Sequence, residues 1–88
     1  MNEQYEQLIL FREQLIRFNE ALKSSMIDLQ NSHDYVDRWW RDDMRKAYDH
    51  QWEPLKEMMN RYINHEGRAY VEFLSIKIHK LEQYLRER

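Results

Sequence analysis

The sequence predicts an all-α protein, an antiparallel two-helix hairpin of long helices, and three observations predict it. Apolar residues recur at helical and heptad spacing along nearly the whole chain. There is one glycine and one proline in 88 residues, too little turn-forming material for an all-β fold. A tryptophan pair, Trp39 and Trp40, sits at the midpoint and follows the only cluster of cap-type residues in the first half.

From Glu3 to about Ser32 the chain reads as one long helix. Leu8, Leu15, Leu22, Leu29 and Val36 recur every seven residues, and Phe11 and Phe18 stand three positions further on, a register that Ser25, Ser32 and Trp39 continue. That is a coiled-coil-like seam, widened by Ile9, Ile16, Met26 and Ile27. A helix of about 30 residues extends roughly 45 Å, so only another long helix can cover it.

Asn31, Ser32, His33 and Asp34 place the hairpin turn between Asn31 and Asp43. Asp42 or Asp43 is the expected N-cap of the second helix. That helix carries Tyr48, Trp52, Leu55, Met59 and Tyr62 on one side, with Arg45, Lys46, Asp49, Lys56, Glu57 and Asn60 on the other. Pro54 lacks an N–H and crowds the carbonyl of His50, so a kink or a fresh helix start is expected there.

Beyond Pro54 two apolar rows coexist. One runs through Leu55, Met59, Tyr62, Ala69, Phe73 and Ile76; the other through Val71, Leu74, Ile78, Leu81 and Leu85. The first row is expected to close the hairpin over Leu8, Leu15, Leu22 and Leu29. The second, left uncovered, is expected to be a partner interface. Gly67 lies where the rows change over, either inside a continuous helix or at a break that makes Arg68–Arg88 a third one. All of residues 1–88 form a single domain.

Composition excludes several function classes. Fourteen basic and sixteen acidic residues give a net charge of −2, with both signs interleaved, which disfavours nucleic acid and anionic membrane as partners. The apolar run Leu8–Phe11 is too short for a signal-peptide core or a membrane span. With no cysteine, no Gly-rich phosphate loop and no metal-type spacing among His33, His50, His65 and His79, enzymatic chemistry has no carriers. No cofactor or metal is expected. Trp39 and Trp40 are read as capping the hairpin core, the alternative being that one indole stays exposed as a docking anchor.

Trp40 at the turn, followed by the phase Tyr48, Trp52, Leu55, Met59 and Tyr62, resembles the WXG family, small helical hairpins that travel through type VII secretion systems. Asp42 stands where that family has glycine two residues after the tryptophan, and Tyr62-Ile-Asn-His-Glu66 fits the family's Tyr-x-x-x-Asp/Glu export signal while lying within the apolar row. The resemblance implies a bacterial secretion substrate, targeting partner or chaperone, cytoplasmic before export and secreted without a cleaved signal. It would act by helix association with itself or with another helical protein, such as the helical N-terminal region of a toxin. The alternative is a generic coiled-coil or three-helix adaptor, a phage or regulatory subunit, which has no need of a turn tryptophan.

Overall fold

A computed structural model describes residues 2–87. Helix α1 spans Glu3–Asp37, α2 spans Met44–Arg61 and α3 spans Gly67–Arg86, with a π turn at Tyr62–Glu66 joining α2 to α3. The last three segments form one continuous rod of 43 residues, which runs antiparallel to the 35-residue α1. The resulting hairpin measures 68 × 17 × 15 Å.

At the start of α1, Asn2 caps the helix, its Oδ1 accepting the Tyr5 N–H at 2.9 Å, while Glu3 and Glu6 face the positive end of the helix dipole. The helix then runs through Asn31–Asp34 and stops only after Asp37. Those four residues cost little helical propensity, roughly half a kcal/mol each relative to alanine. Against that stands a long-range contact: the His33 ring lies flat on Trp52, with centroids 4.4 Å apart and planes at 8°. Tertiary packing thus decides where α1 ends.

The turn occupies residues 38–43. Both Trp39 and Trp40 donate their backbone N–H to the carbonyl of Val36, at 2.9 and 3.0 Å. No described residue has a positive φ, so the reversal uses no left-handed conformation at Asp42. Asp42 acts through its side chain, which accepts the Trp40 indole N–H at 2.6 Å. Asp43 occupies the N-cap position without making a side-chain cap bond. The expected capping is supplied here by the backbone carbonyls of Asp42 and Asp43, which accept from Arg45 and Lys46.

Arg45, expected on the outer side of α2, is instead drawn in over the turn. Its guanidinium donates to Asp37 at the end of α1, to the Trp40 carbonyl at 3.2 Å and to Asp49 at 2.9 Å. One side chain therefore ties both helices and the turn together. The hydrogen bond and charge of Arg45 hold the Asp37 carboxyl below its usual range, and Asp49 and then Asp37 raise the guanidinium further above its own.

No fresh start occurs at Pro54; α2 is helical through it. The proline lies on the exposed side, where a carbonyl freed from its intrahelical bond remains within reach of solvent. Gly67 does not break the rod either, having helical angles of φ −62° and ψ −39°. The irregularity precedes it: the Gly67 N–H bonds the Tyr62 carbonyl five residues back, which defines the π turn.

Candidate protein-interaction face

Register is set by polar contacts spaced along the seam. Tyr5 donates its hydroxyl to Glu82 Oε1 at 2.5 Å near the open end, and Arg12 Nη1 donates to Ser75 Oγ at 3.2 Å further in. Asn19 holds the π turn: its Nδ2 donates to the Gly67 carbonyl at 3.0 Å and its Oδ1 accepts the Tyr62 hydroxyl at 2.8 Å. Glycine at 67 suits this approach, because a Cβ there would lie 3.1 Å from Asn19 Nδ2 and 3.1 Å from the Tyr62 carbonyl oxygen, so those neighbours would have to give way slightly. The hydrogen bond to Glu82 also pushes the Tyr5 hydroxyl above its ordinary pKa.

These contacts select which row of α1 faces inward. Leu8, Leu15 and Leu22 are half-buried, and the row beside them at the seam is Tyr5, Arg12, Asn19, Met26 and His33. The expected companion row is on the outside: Phe11 is 53% exposed and Phe18 55%. Heptad spacing alone fits either row equally well. Tyr5, Arg12 and Asn19 of the polar row each hydrogen-bond across to the opposite helix and His33 stacks on Trp52, which holds that row inward.

The π turn decides the second correction. An α-helix continued from Met59 and Tyr62 would bring Ala69, Phe73 and Ile76 to the seam. The extra residue of the π turn rotates α3 about the rod axis, so that Val71, Leu74, Ile78, Leu81 and Leu85 close the hairpin instead. Among the described residues Ile78, with Met26 and Trp52, is one of the three large apolar side chains buried in the core. The row expected to bind a partner is thus internal, and the uncovered one is its rival, with Phe73 at 71% exposure and Ile76 at 57%.

Of the remaining expected core residues, Tyr48, Met59 and Tyr62 are half-buried, whereas Leu29 and Leu55 lie on the rim. Trp40 packs on Tyr48 with ring centroids 5.1 Å apart, as expected of a tip residue. Trp39 does not cap the core; it is the most exposed of the large apolar side chains.

The uncovered residues gather on one side. Phe18 meets Tyr62 edge-on at 6.3 Å and Tyr62 reaches Tyr70 at 6.4 Å, so the phenylalanine row of α1 and the outer aromatic row of α3 share a face. Phe11 lies one heptad before Phe18, and Phe73 one turn after Tyr70. Toward the hairpin tip the same face opens into an apolar groove of about 310 Å³, lined by Leu29, Ser32, Val36, Trp40 and Tyr48 with Arg45 at its edge. Sequence periodicity shows both rows; which one is free depends on the π turn.

No family model, curated protein or solved structure matches this chain. The site itself therefore carries the functional argument. Among the described residues no group of histidine, aspartate and glutamate side chains is placed to hold a metal ion. No described helix is long and apolar enough to cross a membrane. What the geometry offers is a contiguous aromatic surface on a rigid rod, and such surfaces associate with other apolar surfaces.

Proposed function

We propose that this chain works by helix–helix association, packing its aromatic face against helices of itself or of a larger protein, in the role of a type VII secretion substrate, targeting partner or chaperone. The observation that carries the association is surface area. The chain exposes 7464 Å², whereas a compact protein of 11.2 kDa exposes about 5,700 Å². That excess, roughly 1,800 Å², exceeds the ~800 Å² that each partner buries in a stable complex.

The secretion role is supported by the hairpin shape with Trp40 at its tip, hydrogen-bonded through its indole to Asp42 two residues on. The alternative of a generic adaptor is favoured by one observation, that the turn is built without any left-handed residue. A native pull-down of the tagged chain from its source cells, with mass spectrometric identification, separates them. The secretion role requires recovery of a small helical hairpin or of a large protein with a helical N-terminal region and a toxin-like C-terminus. Recovery of cytoplasmic regulators alone would refute it in favour of the adaptor.

A further inference from the structure

Resting on that association reading, we infer that the occupant of the aromatic face is a second copy of this chain, lying antiparallel across a twofold axis level with Ala21 and Asn64. The first support is a self-complementary row. At heptad spacing the face of α1 carries Phe11, Phe18, Ser25 and Ser32, two large side chains followed by two small ones. Reversed against itself, that row sets Phe18 opposite Ser25 of the second copy and Phe11 opposite Ser32. Every knob meets a hole, and each contact occurs twice, as an isologous interface demands. Ser32 is also where the 310 Å³ groove opens, so Phe11 has a cavity to enter.

The second rod supplies independent support. With the axis at Asn64, Tyr70 falls opposite Met58 of the second copy, and Phe73 opposite Leu55. Further out, Tyr84 falls opposite Met44. All six are exposed: Tyr70 55%, Met58 59%, Phe73 71%, Leu55 41%, Tyr84 60% and Met44 67%. Each aromatic of α3 thus faces an uncovered aliphatic side chain of α2. Lys77 falls opposite the neutral Gln51, so no like charges are forced together.

One axis serves both rods, because the two levels are side by side in the hairpin: Asn19 bonds Tyr62 and Gly67, on either side of Asn64. Two rows with unrelated sequences therefore agree on the same dyad. The excess surface of roughly 1,800 Å² per chain lies within the range that obligate homodimers bury on each subunit.

Sedimentation velocity over a concentration series, with helix content checked by circular dichroism, tests the proposal. The wild-type chain is expected to sediment at twice 11.2 kDa. Ser25→Phe sets phenylalanine against Phe18 and should weaken the dimer at least about tenfold. The swap Phe18→Ser with Ser25→Phe restores a large-to-small pairing and should restore the dimer. Because the chain has no cysteine, Ala21→Cys should crosslink across the dyad on oxidation and Gln4→Cys should not.

A wild-type mass of 11.2 kDa at every concentration overturns the proposal. So does a dimer indifferent to Ser25→Phe, or one crosslinked through Gln4→Cys. In each of those cases the association reading stands if the chain binds a different helical protein, and falls if it binds none.

Discussion

Two isoleucines two positions apart on α3 give a controlled test of the register set by the π turn. Ile78 is 4% exposed in the seam and Ile76 is 57% exposed outside it. Replacement by alanine removes the same three carbons at both sites. At about 0.8 kcal/mol per buried carbon, the Ile78 truncation forfeits roughly 2.4 kcal/mol of transfer free energy. Residual cavity adds to that, though a seam one layer thick collapses more readily than a deep core, so about 2.5–3.5 kcal/mol is expected. For a chain of this size each kcal/mol lowers the melting temperature by about 4–8 °C, which puts Ile78→Ala roughly 10–25 °C below the parent. At Ile76 the smaller loss of burial is offset by alanine's better helix propensity, and the change should stay within about 0.5 kcal/mol. Thermal unfolding followed by circular dichroism at one fixed protein concentration makes the comparison. Equal losses at the two sites, or a larger loss at Ile76, would refute the register.

Gly67→Ala gains about 1 kcal/mol of helical propensity yet forces Asn19 to move and loosens two hydrogen bonds worth about 0.5–1.5 kcal/mol each, so a net loss of about 0–2 kcal/mol is expected. In an Asn19→Ala background the same glycine change should become neutral or stabilising, and a double-mutant cycle by urea unfolding reads the coupling. The Asp37 carboxyl, held below its ordinary 3.8 by Arg45, adds stability that is full above that value and is lost as pH falls through the lowered one. Melting curves from about pH 5 to about pH 2 should therefore fall more steeply for the wild type than for Asp37→Asn, and parallel curves would contradict the clamp at the turn.

The broad architecture was legible in the sequence because its signals are local. Leucines every seven residues, a near absence of glycine and proline, and tryptophans at the midpoint specify long helices that fold back on each other. The features that were not legible depend on contacts between distant residues. The turn falls within the expected Asn31–Asp43 stretch, but the first helix is expected to end near Ser32, and the stacking of His33 on Trp52 accompanies its continuation to Asp37. Phe11 and Phe18 read as core, because periodicity does not reveal that Arg12 and Asn19 have partners at Ser75 and Gly67.

The candidate site was half visible. Two rows in the C-terminal third were plain from spacing, and so was the need for one of them to be uncovered. Their assignment was reversed because the π turn changes the phase at Tyr62–Glu66. A trace of it exists in the sequence: the rows change over at the chain's single glycine, whose carbonyl Asn19 of α1 reaches. Arg45 gave no signal, since an arginine that bridges two helices and a turn looks like any other charged residue on a helix.

Hydroxyl-radical footprinting across a concentration series, read residue by residue in a mass spectrometer, tests most directly whether the aromatic face is an interface. Phe11, Phe18, Tyr70 and Phe73 should lose reactivity together as concentration rises, while Ile27 and Tyr35, exposed on other sides of α1, stay reactive throughout. Unchanged reactivity of the four aromatics at every concentration, or protection of Ile27 in their place, would contradict the account.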